Sequence, residues 1–189
     1  MNATVNEGFF ADAVFIVEGL TEFGIFWALQ NIMQKGWDRR GIVIVPAEGK
    51  TKIDRPVVVF RGLEIPTYFL FDGDSKHKGK GNKDEKSTAQ TNQLLQRLAD
   101  AAVIDFPNTQ VNKGWAVFGD DVEMEIKAAV GEKYYQEVRA FIADDLGYSE
   151  PSKALKNPEA AARLIRSIYE TGRKVPVLEE IVEAVSALI

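Results

Sequence analysis

There is no cysteine in this chain and only one histidine, His77. Without cysteine there can be no disulfide, no thiolate nucleophile and no Cys-bearing zinc site. With one histidine, neither an HExxH zinc site nor a Ser-His-Asp triad can be assembled within the chain. Long apolar runs are missing too: none approaches the length needed to cross a bilayer. The opening "MNATVNEGFF" has neither the basic n-region nor the apolar core of a secretory signal. The expectation is a cytoplasmic protein with no membrane partner. Basic charge is also in deficit, with 23 Lys and Arg against 28 Asp and Glu, a net charge of -5 and a pI near 5.1. Such a chain is not built to coat nucleic acid non-specifically. It can still act on nucleic acid, because carboxylates gathered around cations count toward the net charge and are neutralised when the cations bind. Any catalysis must therefore rest on carboxylates, lysines, hydroxyls or bound cations.

What is present is an ordinary globular composition: 189 residues, 46% hydrophobic and 27% charged, enough for one domain. Residues 13 to 18, "AVFIVE", form a short apolar, β-branched run of the kind buried on both faces of a parallel sheet. "TEFGIFWALQNIMQKG" follows with apolar residues at helical spacing and Gly36 near its stop. "GIVIVPA" reads as a second strand, "GKTKIDRPVVVFRGLEI" as a helix interrupted or reshaped near Pro56, and "PTYFLFD" as a third strand. The order β-α-β-α-β predicts a doubly wound, mostly parallel sheet. The stretch "GDSKHKGKGNKDEKS" reads as a mobile surface loop, with a helix over roughly 87 to 103 after it and "KGWAVF" as a fourth strand. From Val122 the pattern is helical to the end. The expectation is one α/β domain over 1–189, with a four-stranded core at about 12–125 and a helical extension at about 126–189 covering one side of the sheet.

Three strand ends carry acids. The first ends at Glu18, with Glu22 four residues on; the third ends "FDGD", with Asp72 and Asp74; the fourth ends "GDDVEME", with Asp120, Asp121, Glu123 and Glu125. In open α/β sheets, ligands bind at these carboxyl ends. So many carboxylates converging would repel one another unless a cation sits among them. Hard divalent ions take oxygen ligands, and a pair about 3.5–4 Å apart can serve both the attacking and the leaving oxygen of a phosphodiester. Gly73 suits a bend that would let Asp72 and Asp74 reach one point. Taken singly, each acid also has a plain structural reading as a helix cap or a solvated loop residue, and Glu22 as a first-turn acid complementing the helix dipole.

Glu18-Gly19 after the first strand and Asp72-Gly73-Asp74 after the third together resemble the Toprim domain of topoisomerases, primases and recombination proteins. More narrowly, "FFADAVFIVEGLTE", "PAEGKTKI" and "IPTYFLFDGD" resemble the Toprim region of OLD-family (overcoming lysogenization defect) nucleases, over roughly residues 7 to 75. The resemblance implies a Toprim-type, Rossmann-like fold and an endonuclease that hydrolyses DNA with two Mg²⁺ or Mn²⁺ ions. It implies metal ligation by Glu18, Glu22, Asp72 and Asp74, with Glu18 and Asp72 central to catalysis. It adds a later acidic pair matching Asp121 and Glu123, with Asp120 or Glu125 as alternatives. It also implies a lysine that offsets transition-state charge, carried by "SKALKNPEAAARL", with Lys156 first and Lys153 second. An ATPase precedes the nuclease in that family, so an ATPase domain or partner is expected, and the bare start of this chain is read as an excised nuclease region; oligomers are allowed.

No Walker A motif is present: the first glycine that "AEGKT" would need falls on Ile44, inside a strand. "DGDSKHKGKGNK" fails as an EF-hand, since His77 stands at the glycine position and Lys83 at the final glutamate. Two rival readings stay open. One is a phosphatase of haloacid-dehalogenase type, with Asp72 as nucleophile and the acids at 120 and 121 on Mg²⁺. The other is a metal- and nucleic-acid-binding module that does not cut. The lysines of "SKHKGKGNK" are either a solvated loop or a phosphate contact.

Overall fold

The apolar runs fold as strands because their β-branched and aromatic side chains fill both faces of one sheet. The computed structural model describes residues 3–189. Its strands are β1 (Ala13–Val17), β2 (Ile42–Pro46), β3 (Thr67–Asp72), β4 (Gln110–Asn112) and β5 (Trp115–Phe118), in the spatial order β2-β1-β3-β5-β4. The first four in that order are parallel, and β4 lies antiparallel to β5 at the edge. The four parallel strands are those expected; the fifth, three residues long, was not. The chain leaves β1 for β2 on one side and returns to β3 on the other. Strand order therefore reverses between β1 and β3, the crevice where doubly wound sheets bind ligands.

The helices among the described residues are α1 (Ala3–Gly8), α2 (Leu20–Ile32), α3 (Asp54–Gly62), α4 (Lys83–Leu98), α5 (Val122–Val130), α6 (Glu132–Asp145), α7 (Pro151–Ala154), α8 (Pro158–Glu170) and α9 (Pro176–Ser186). Alternation along the strands sorts them into two layers. Phe15, Val17, Tyr68, Leu70 and Phe118 face α2, α5, α6, α8 and α9, whereas Val14, Ile16, Phe69, Phe71 and Val117 face α3 and α4. The C-terminal helices thus cover one side of the sheet. Burying each large side chain contributes roughly 1.5–3 kcal/mol, so β1, with every residue buried, is held from both sides.

Two helices differ from the sequence reading. Pro56 does not interrupt α3: it sits in the first turn, where the missing N–H would have had no partner. Helix α4 starts at Lys83 rather than 87, because Asn82 caps it by accepting the Glu85 N–H at 3.0 Å, and it ends at Leu98 rather than 103. The stretch read as a mobile loop is correspondingly short and includes a 3₁₀ turn at Ser75–His77.

Candidate functional site

The loops after β3 and β5 are joined by their backbones. The N–H groups of Gly73, Asp74 and Ser75 donate to the carbonyls of Phe118, Asp120 and Gly119 at 2.7, 3.0 and 3.2 Å. Gly73 is required for a reason other than the expected bend: a Cβ there would stand 2.7 Å from the carbonyl oxygens of Phe118 and Gly119. Asp74 is the residue that turns, with φ 54°. Buried Asn92 of α4 donates to the Gly73 carbonyl at 2.9 Å and ties the helix to this loop. On the other side, the Gly49 N–H donates to the Glu18 carbonyl at 2.9 Å, joining the loop after β2 to the end of β1.

These bonds bring the acids of three strand ends together. Asp72 is the hub: burial, followed by the charges of Glu22, Glu18, Asp74 and Asp121, pushes its carboxyl well above the usual range. Glu18 is pushed up to about 7 by burial and by Glu22 and Asp74, with Lys50 and a backbone bond at Asp72 opposing. Its Oε2 is buried without a hydrogen-bond partner. Burial also raises Glu22, against the backbone N–H groups of Glu22 and Gly19, with Asp121 and Glu123 adding to the rise. Glu22 Oε2 accepts the Gly19 N–H at 2.9 Å, so the structural role of a first-turn acid is realised as well.

The remaining candidates divide. Asp121 caps α5, accepting the Met124 N–H at 3.0 Å through Oδ1, while its Oδ2 lies 3.0 Å from Lys76 Nζ. Glu123 Oε2 accepts the Tyr135 hydroxyl at 2.5 Å, with the Arg139 guanidinium 3.5 Å away. Glu125 is turned to Thr109, whose hydroxyl donates to it. Lys156 lines a hollow of about 500 Å³ together with Glu18, Thr21, Glu22 and Glu48. Helix α8 brings it there. A Cβ on Gly24 of α2 would meet the Pro158 carbonyl oxygen at 2.1 Å, and the Thr21 hydroxyl donates to the Leu155 carbonyl at 2.9 Å. Lys153 is drawn off to Glu150, at 2.7 Å.

Two lysines in the cluster were not anticipated. Lys50, the lysine of "AEGKT", is buried, with Nζ 3.0 Å from Asp74 Oδ2 and 6.0 Å from the Phe71 ring centroid. Lys76 reaches Asp74 and Asp120 as well as Asp121. Among the described residues, no three His, Cys, Asp or Glu side chains stand ready-gathered as ligands. Instead their oxygens are bonded to lysines and to backbone N–H groups. The donor set nevertheless fits a hard divalent ion. It is all oxygen, it carries mutual repulsion that a cation would relieve, and it leaves Glu18 Oε2 without a partner.

A family model, the Toprim domain of overcoming lysogenization defect (OLD) protein-like proteins, matches residues 9–74. Over residues 9–74 the chain is similar to an OLD-like Toprim domain. The C-terminal region of the OLD protein of Xanthomonas campestris pv. campestris superposes with a TM-score of 0.61 at 16% identity, over 95% of this chain and 97% of that one. The corresponding region from Burkholderia pseudomallei gives 0.59 at 17% identity, over 95% and 100%. At such identities the likeness is one of fold, and it extends through the helices beyond the OLD-like Toprim match. No curated protein matches the chain in sequence. Among the described residues no helix is long and apolar enough to cross a membrane.

Proposed function

We propose that this OLD-like Toprim module is a divalent-metal-dependent endonuclease that hydrolyses DNA phosphodiesters by a two-metal mechanism. The observation that carries the reading is Asp72, a partly buried carboxyl at the end of β3 pressed by acids from the ends of β1 and β5. The family match and the OLD-like fold support a nuclease-type module. Glu18, Glu22 and Asp72 would hold the inner ion, and Asp74, Asp121 and Glu123 the outer one. Bound Mg²⁺ or Mn²⁺ would supply Lewis acidity, activating water and offsetting charge on the leaving oxygen.

The chain's own groups prepare that chemistry. Glu18 and Asp72 both hold protons more tightly than ordinary carboxyls, so a cation entering the site would compete with protons there. Gly73 and Asn92 fix the Asp72–Asp74 loop, and Tyr135 with Arg139 fixes Glu123. Lys156 lines the same hollow as Glu18 and Glu22, which supports a role for its ammonium in offsetting charge that develops on phosphate. DNA as substrate, a cytoplasmic setting and an ATPase as domain or partner belong to the same proposal.

Plasmid nicking by Asp72→Ala tests it. Mg²⁺- or Mn²⁺-dependent nicking is expected to vanish while the circular dichroism spectrum stays that of the parent. Undiminished nicking by the variant would sink the assignment. Metal binding by the parent without cleavage under any divalent ion would favour the non-cutting module.

A further inference from the structure

The outer acids are occupied by a cation of the chain's own. Asp74, Asp120 and Asp121 come from the two loops joined by backbone bonds, and one ammonium serves all three. Lys76 Nζ stands 3.3 Å from Asp74 Oδ1, 3.7 Å from Asp120 Oδ1 and 3.0 Å from Asp121 Oδ2. The Lys76 N–H also donates to Asp120 Oδ1 at 3.5 Å. Burial works against this charge, but the bond to Asp121 and the three carboxylates outweigh it and hold the ammonium protonated above its ordinary range.

Lys50 and Lys76 both pair with Asp74, yet they differ in freedom. Lys50 is 8% exposed and held by the loop that bonds to Glu18, so it stays. Lys76 is 46% exposed, on a short 3₁₀ turn in the glycine-rich stretch after β3, so its side chain can leave for water at little cost in buried area. While Lys76 is in, an oxygen each of Asp74 and Asp121 is engaged. A divalent ion placed among those oxygens would meet the ammonium a few ångströms away, and the two cations cannot share the position.

We propose that Lys76 is an internal counter-ion that competes with a divalent cation for Asp74 and Asp121, so that metal entry at the outer half of the site requires Lys76 to swing out. The inference rests on the two-metal reading above and adds to it the residue that sets the outer site's apparent affinity. The apparent affinity is lowered by the fraction of molecules in which Lys76 is in place. Exposed ion pairs are individually weak, and three sharing one ammonium should weaken metal binding roughly three- to tenfold.

Calorimetric titration with Mn²⁺ at fixed ionic strength, on wild type, K76M, K76Q, K76R and K80M, tests this. Lys80 lies in the same stretch and makes no ion pair among the described residues, so K80M measures the general effect of removing one positive charge. K76M and K76Q are expected to bind Mn²⁺ roughly three- to tenfold tighter, with K76R and K80M within about twofold of wild type. Equal or weaker binding by both neutral variants, or the same gain in K80M, overturns the role of Lys76 while wild-type binding leaves the metal reading standing. No Mn²⁺ binding by wild type overturns the metal reading itself.

Discussion

The two halves of the acidic cluster are treated differently by the fold. The inner acids, Glu18, Glu22 and Asp72, have no ion pair among the described residues, and desolvation together with neighbouring carboxylates raises the proton affinity of each. The outer acids, Asp74, Asp120 and Asp121, are partly exposed and already balanced by Lys50 and Lys76. The difference teaches where a cation relieves most stress. An ion among the inner acids replaces repulsion with attraction, whereas one among the outer acids must first displace an ammonium. The inner position should therefore fill first and matter more.

Removing one acid from each half gives the sharpest test. Glu18→Gln is expected to reduce nicking by roughly a thousandfold, the scale on which a transition-state electrostatic stabiliser acts. Asp120→Asn should weaken Mn²⁺ binding only about threefold, since one contact of Lys76 goes with it. Comparable losses in the two variants, measured by nicking rate and calorimetry, would erase the distinction.

A smaller effect separates the halves by pH. The folded value of Glu18, about 7, lies above its ordinary 4.5. Its contribution to metal-free stability is therefore complete below pH 4.5 and lost as pH rises through 7, a cost of about 3 kcal/mol. Metal-free wild type should lose stability relative to Glu18→Gln between pH 5 and pH 8 in urea unfolding, and Mn²⁺ should restore it in wild type alone. A gap between the two proteins that does not change with pH would deny Glu18 its buried charge.

The inner half was legible in the sequence and the outer half only partly, for a physical reason. Glu18 and Asp72 interrupt apolar runs that must be buried on both faces, so their polarity stands out against β1 and β3. The balancing of the outer acids depends largely on contacts across the sequence: Lys50 is 24 positions from Asp74, and Lys76, two positions from Asp74, also reaches Asp121, 45 positions on. In the sequence, "AEGKT" was a failed phosphate loop and "SKHKGKGNK" a basic tract, and nothing local marks Lys50 as a partner of Asp74 or Lys76 as a partner of Asp120 and Asp121. The start of α4 was hidden similarly, since charged residues on an exposed face look like loop until Asn82 is seen to cap them. Strand β4 has three half-buried residues and exists only as an edge partner of β5.

The finest comparison is between two lysines three residues apart. Lys153, in α7, is paired with Glu150, whereas Lys156 follows that helix and lines the hollow beside Glu18 and Glu22. What separates them is the approach of α8 to α2 at Gly24, with the Thr21–Leu155 bond fixing the chain just before Lys156. Lys156→Ala is expected to lower the nicking rate roughly ten- to a hundredfold with Mn²⁺ affinity little changed, because the ammonium acts on charge developing at phosphate rather than on the ions. Lys153→Ala should change the rate by less than about twofold, as befits an exposed i,i+3 pair. Gly24→Ala should reproduce part of the Lys156 loss without touching the lysine, since the added methyl forces Pro158 and the chain before it away from α2. A Gly24→Ala protein that folds and cuts at the parental rate would show that Lys156 owes nothing to this packing.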